Sequence, residues 1–228
     1  MFKTPASKFD FSSLAKDYDS WYDTPLGKRY DREEKSAVLE LLPPVKPGSR
    51  LLDVGCGTGH WSRFFSSQGY DVVGVDISRS MILNAQNKGL DKTSFMVANA
   101  SSLPFENASF KIVTAMTSLE FISNTDFAVA EMLRCIASDG SLIIGTLNKL
   151  APINRDRIVK KKEPYASAHL FSSEELRRLL AAFGPVRIRV SVSEEKHFQV
   201  QPLRKMWDRF ALPWKQPTGA FIVAEVRR

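Results

Sequence analysis

Gly55, Gly57 and Gly59 are three glycines in five positions of the stretch LLDVGCGTGH, directly behind an apolar run that contains Asp53. Glycine carries no Cβ, so a turn this rich in it lets a ligand lie against the end of a strand. A loop that cradles a nucleoside triphosphate needs a lysine and then a hydroxyl residue after its last glycine, whereas His60 and Trp61 follow Gly59. The dinucleotide fingerprint needs a third glycine with two residues between it and the second, and His60 stands there. A nicotinamide site stays open but poorly matched. Two acids narrow the choice. Asp76, at the end of VVGVDIS, offers a carboxylate whose two oxygens can accept both hydroxyls of a ribose. Asp53, beside the loop, suits a cationic amino group.

The elements around these residues alternate. Short apolar runs RLLDV, DVVGVD, SFMVAN, FKIVTAM and SLIIGTL read as strands, and WSRFFSSQ, RSMILNAQNK and DFAVAEMLRCIA read as helices between them. That rhythm predicts a parallel sheet with helices on both faces. Gly69, Gly89 and Gly140 stand where helices should end, and Ser78 where one should begin. Residues 1–45 read as a helical cap, with FSSLAKDYDSWYD as one helix and a second opening at Pro25. Residues 50–147 are the core. Residues 148–171 are polar, basic and proline-marked, too long for an ordinary connection, and read as a lid over the carboxyl edge of the sheet. Residues 172–228 supply a capped helix, SSEELRRLLAAFG, and two strands, VRIRVSVSE and GAFIVAEV, that could pair antiparallel across a segment holding Trp207, Phe210 and Trp214. At 228 residues the whole reads as a single domain.

A ligand with ribose hydroxyls and a positive ammonium but no phosphate has the chemistry of S-adenosylmethionine. The segments LLDVGCGTG, VVGVDIS, ANASSLPFENASFKIV and GSLIIGTLN, in this order and spacing, resemble the class I S-adenosylmethionine-dependent methyltransferases, in particular the small-molecule set (methyltransferase type 11) related to quinone-biosynthesis enzymes. The likeness spans about residues 50 to 147; YDSWYDTPLGKRYDREE is more loosely similar to the helical cap of some members. The resemblance implies a Rossmann-like, doubly wound, mostly parallel seven-stranded sheet with an antiparallel last strand. It implies S-adenosyl-L-methionine as cofactor and S-adenosyl-L-homocysteine as product. By position, Gly55, Cys56, Gly57 and Gly59 would line the methionine moiety, with Asp53 toward its amino group. Asp76 would hold the ribose and Ile77 pack on the adenine. Asn99, Ala100 and Ser101 would meet the adenine edge, and Met116 and Thr117 the sulfonium end. Asn99 departs from an aspartate usual in the family, and its side-chain carbonyl could accept the same hydrogen bond.

Methyl transfer needs proximity, alignment and dryness, and a base only where the nucleophile must shed a proton. Candidates to roof the crevice are Tyr18 and Tyr22 from the cap, Tyr165 and His169 from the lid, and Glu120; His169, the one histidine among them, is the natural base. Packing competes with chemistry for Tyr18 and Tyr22, which lie among Phe11, Leu14 and Trp21. The net charge is +7, and Arg155, Arg157, Lys160, Lys161 and Lys162 cluster in the lid. A solvated helix face is the default, an anionic acceptor or acidic carrier protein the next reading, and nucleic acid the least supported. The expected partner is a small-molecule methyl acceptor, anionic or lipophilic. PLRKMWDRFALPWK could rest on a membrane surface, but no apolar run approaches the roughly 18 residues of a membrane span. Cys56 and Cys135 show no metal or redox spacing, so free thiols, no metal site and a cytoplasmic location are expected. An RNA or protein methyltransferase and a silent cofactor-binding partner protein stay open as rivals.

Overall fold

The computed structural model describes residues 6–46, 48–192 and 218–228. Its strands are β1 (Arg50–Val54), β2 (Asp71–Asp76), β3 (Thr93–Val97), β4 (Phe110–Met116), β5 (Ile136–Leu147), β6 (Val186–Ser191) and β7 (Phe221–Arg227). Its helices are α1 (Ser20–Asp23), α2 (Pro25–Leu39), α3 (His60–Ser67), α4 (Arg79–Asn87), α5 (Thr125–Cys135), α6 (Pro152–Val159) and α7 (Ser173–Ala181). The strands form one seven-stranded sheet in the order β3-β2-β1-β4-β5-β7-β6. Pairs from β3 through β5 are parallel, and β7 runs antiparallel to both β5 and β6. This is the doubly wound sheet with an antiparallel last strand that the sequence led us to expect.

Two cores flank the sheet, and the alternation of side chains along each strand divides the residues between them. Leu52, Val54, Val113, Ala115, Ile222 and Ala224 pack against α5 and α7. Leu51, Ile112, Phe221 and Val223 pack on the other face with Trp61 and Phe65 of α3 and Tyr30, Ala37 and Val38 of α2. Helix starts follow local capping. Thr24 accepts from Gly27 N at 2.9 Å with Pro25 in the first turn of α2, Ser78 caps α4, and Ser172 and Glu175 form a reciprocal capping box on α7.

Four sequence expectations change. The segment 11–23 is not one helix: Asp10 caps a 3-10 turn at Phe11–Ser13, the chain continues in tight turns with Leu14 N, Asp17 N and Ser20 N donating to the carbonyls three residues back, and only then does the single-turn α1 form. Gly140 lies inside β5 rather than at a helix end; a Cβ there would stand 2.5 Å from Ile136 Cγ2 and 2.6 Å from Lys111 O, beside an irregularity in the β4–β5 register. In the lid, α6 stops at Val159, so Lys160, Lys161 and Lys162 follow the helix instead of extending its basic face. β6 ends at Ser191, short of the expected run. Trp207, Phe210, Trp214 and the segment read as a membrane contact lie outside the described residues.

Candidate active site

β1 and β4 are sequence-distant neighbours at the point where strand order reverses, and such a switch point opens a crevice at the carboxyl ends of the strands. The glycine loop leaves β1 there. Gly55 N and Cys56 N both donate to Val75 O, at 2.7 and 3.0 Å, which folds the loop back over the end of β2. Gly55 has φ +71°, and a Cβ on it would meet Ser118 Cβ at 2.4 Å. Gly57 has φ +53°, and a Cβ on it would project into open space. Gly55 therefore permits the close approach of two chain segments, while Gly57 leaves a place for a ligand to lie. At the end of β2 the Asp76 carboxylate accepts from Gly57 N at 2.9 Å and Ser78 N at 2.8 Å. Burial raises its pKa, and those backbone hydrogen bonds oppose the shift.

Gly55, Gly57, Asp76, Ile77, Asn99, Ala100 and Thr117 line this crevice. Their chemistry fits an adenosyl ligand: a carboxylate for the diol, apolar Ile77 and Ala98 for a ring face, and Asn99 at the edge. The side-chain carbonyl of Asn99 also accepts from Ser101 N at 2.9 Å. Five other expected residues stand behind the wall. Asp53 shares the face of Leu51 and turns into the α3 core, where Ser62 Oγ and Thr114 Oγ1 donate to it at 2.6 and 3.1 Å. Burial brings its carboxyl up to about 6. Cys56 is buried, its sulfur packed toward Gly74. Gly59 caps α3 and faces Phe95, Met116 is buried against Gly145, and Ser101 is absent from the lining.

A second cavity, of about 250 Å³, adjoins the first. Phe11, Tyr18, Thr117 and Phe121 line both. Thr117 is β-branched yet sits at φ +48°, its N–H donating to Gly145 O at 2.7 Å. Strain of about 1 to 3 kcal/mol at such a residue is typical of positions held for a purpose. The remaining wall is strongly aromatic, with Trp21, Tyr22, Tyr30 and Tyr165 beside Glu34 and Arg157. The phenols of Tyr18 and Tyr22 are pushed above the usual range, first by burial and then by neighbouring acids and phenols.

Tyr18, Tyr22 and Tyr165 are thus brought to the site, and His169 is not. Its N–H donates to Glu120 O at 2.8 Å, and its exposed ring stands edge-on to Phe171, 4.8 Å between centroids, outside both cavities. Glu120 is fully buried with Oε1 accepting from Leu147 N, so it ties the 3-10 turn after β4 to the end of β5 and is no part of the lining. His60 fastens the cap to the loop: its Nε2 lies 2.6 Å from Asp31 Oδ1, and Tyr22 stacks on it at 3.6 Å. Asp19 makes a parallel latch, accepting from Thr58 Oγ1 at 2.6 Å and pairing with Lys88 at 2.5 Å. The sequence reading missed Phe11, Glu34 and Phe121 as cavity residues. The helical spacing of Tyr30 and Glu34, four apart on α2, was the available signal. Among the described residues no cluster of His, Cys, Asp or Glu could hold a metal, and no helix is long and apolar enough to cross a membrane.

Residues 52–144 match the family model described as "Methyltransferase domain". A demethylmenaquinone methyltransferase of Beutenbergia cavernae is 34% identical over 134 residues, 59% of this chain and 55% of that protein. The chain therefore spans little more than half the length of that relative. An uncharacterised protein of Methanocaldococcus jannaschii is 27% identical over 176 residues, 76% of this chain and 80% of its own length. Among solved structures, a SAM-dependent methyltransferase of Thermotoga maritima superposes with a TM-score of 0.73 at 23% identity, covering 95% of this chain and 97% of that one, which shows the shared fold.

Proposed function

The chain carries a methyltransferase domain over residues 52–144, and from that premise we propose that it is a class I S-adenosylmethionine-dependent methyltransferase that methylates a planar small molecule seated in the aromatic cavity. The observation that carries this reading is the shared wall: Phe11, Tyr18, Thr117 and Phe121 belong to both the crevice suited to an adenosyl ligand and the aromatic chamber. Only at such a seam can a methyl donor and an acceptor meet.

S-adenosylmethionine supplies a methyl group already activated on a sulfonium. The protein's part is to hold, align and keep dry. Asp76 would hold the ribose, Gly55 and Gly57 would admit the methionine arm, and Ile77 would cover the adenine. Thr117 fixes the backbone at the seam, and Phe11 and Phe121 exclude water around it. Alignment of this kind accounts for much of the barrier reduction in a displacement that needs no strong base. Tyr18 keeps its proton through the neutral range, since burial raises its phenol, so it orients an acceptor by hydrogen bonding and does not deprotonate it. The quinone-ring substrate named for the Beutenbergia relative supports a ring acceptor here.

Calorimetric titration with S-adenosylhomocysteine, NAD and ATP in parallel tests the reading. Micromolar binding of the adenosyl compound alone is the expected result. Preference for NAD, or no binding of any of the three, would overturn it.

A further inference from the structure

The chemistry of the acceptor is written in how the cavity holds Arg157. Asn154 and Arg157 lie three apart on α6 and so share a face. Asn154 is fully buried, and its amide nitrogen donates to Asn148 O and Ala220 O at 3.0 and 2.9 Å. Its fixed oxygen accepts from Arg157 Nη1 at 3.1 Å. The guanidinium also lies over two rings, 4.3 Å from the centroid of Tyr165 and 5.7 Å from that of Trp21. Three neighbours thus hold one half-buried cation, and none of them neutralises it. Among the described residues no acid lies within ion-pairing distance of Arg157.

The other cations of the lid do not reach this wall: Lys149 pairs with Glu175, Arg155, Lys160, Lys161 and Lys162 are exposed, none of the five is in the lining, and Lys160 pairs with Asp156 at 2.8 Å. Two acids do line the cavity. Asp17 is exposed at its rim. Burial, with Asp31 nearby, pushes the Glu34 carboxyl up to about 8 even though Arg157 pulls it down, so Glu34 carries its proton at neutral pH. The neutral phenols of Tyr18 and Tyr22 are further O–H groups on the same wall. The chamber therefore offers donors and one uncompensated positive charge.

We propose that the acceptor is a ring compound bearing a carboxylate, which Arg157 grips through its open N–H edge on the part of the wall that the cofactor crevice does not share. A planar guanidinium presents paired donors that match a carboxylate, and its faces are already taken by rings. Cavities of about 150 Å³ accommodate benzene, so the chamber's roughly 250 Å³ suits one larger or two fused rings. This inference rests on the methyl-transfer reading for the role of the bound ring, but the recognition can be measured separately.

Three probes of one shape and different charge, 2-naphthoate, 2-naphthamide and 2-naphthylmethylammonium, are titrated calorimetrically into protein saturated with S-adenosylhomocysteine. The carboxylate should bind about tenfold tighter than the amide, and the ammonium weakest. In Arg157→Gln the advantage over the amide should shrink to within about threefold while the amide's own affinity holds; Arg157→Lys, which keeps the charge but not the paired edge, should recover part of it. Equal affinities, preference for the ammonium, binding of none of the probes, or an advantage that survives Arg157→Gln would each overturn the proposal. Should S-adenosylhomocysteine itself not bind, the methyl-transfer reading fails alone, and the same titrations on the ligand-free chain still decide whether Arg157 selects carboxylates.

Discussion

Asp76 and His169 mark the two outcomes of sequence reasoning at the site: the structure places Asp76 in the crevice and leaves His169 outside both cavities. Asp76 accepts two backbone N–H groups and still lines the crevice, so its carboxylate both shapes the glycine loop and faces the ligand. Losing charge-assisted hydrogen bonds of this kind costs about 1.5 to 3 kcal/mol. Asp76→Ala should therefore weaken S-adenosylhomocysteine about ten- to hundredfold in a calorimetric titration, and an unchanged affinity would remove Asp76 from the ribose site. His169→Ala should leave turnover and cofactor affinity within about twofold, because its exposed imidazole stands against Phe171 and lines neither cavity; a hundredfold loss of rate would return it to the chemistry. Asp76 was legible because a strand-end acid after a glycine loop has a fixed direction. The side-chain direction of His169, in an irregular lid, depends on the bond from its N–H to Glu120 O, and no spacing announces such a contact.

The elements bear out this division between what periodicity encodes and what tertiary contacts decide. The strand runs at 50–54, 71–76 and 110–116 match β1, β2 and β4 to the residue, since buried parallel strands read as unbroken apolar runs. The cap was less legible because its short pieces, α1 and the 3-10 turn, are held by bonds to other elements, such as Asp19 to Thr58 and Lys88. β7 carries the sharpest element-scale test. Glu225 is fully buried in it, pairing with Arg187 at 2.7 Å and Arg227 at 2.8 Å and accepting from Ser141 Oγ at 3.1 Å. Both arginines are substantially exposed, at 44% and 62% of their side-chain area, and could return to water; the carboxylate could not. Removing the partners of a buried charge costs about 3 to 5 kcal/mol, whereas exchanging a buried ion for an apolar side chain is often close to neutral. The double variant Arg187→Ala with Arg227→Ala should therefore lose more stability in urea unfolding than Glu225→Met. The reverse order would mean that the ion pairs themselves, and not the desolvated carboxylate, set the energetics of this edge.

At the scale of the whole molecule the pH response comes from two opposed sets of acids. Glu34, pushed up to about 8, and Asp53, up to about 6, are both raised by burial, and Glu120 moves in the same direction for the same reason. A carboxyl whose folded pKa exceeds its unfolded value binds its proton more tightly when folded. Its contribution is whole below the unfolded pKa and is lost as pH rises to the folded one. For Glu34 that window runs from its ordinary 4.5 to about 8, and for Asp53 from 3.8 to about 6. The opposite set includes Glu175, brought down to about 2 chiefly by Lys149, and Asp19 and Asp31, which are lowered by hydrogen bonds to Lys88 and Thr58 and to His60 and Lys35 although burial opposes the shift. These lend stability above their unfolded pKa values and lose it as pH falls through the folded ones, so they govern the acid limb. The two limbs place the stability maximum at mildly acidic pH, with a decline from about pH 5 to 8 to which the cavity acid Glu34 contributes because its window spans that interval. The thermal midpoint should therefore fall over this interval in the native chain, and the fall should be smaller in Glu34→Gln, whose amide cannot ionise. A midpoint that rises toward pH 8, or a decline of equal size in the variant, would show that Glu34 ionises freely and that the chamber carries a negative charge at neutral pH.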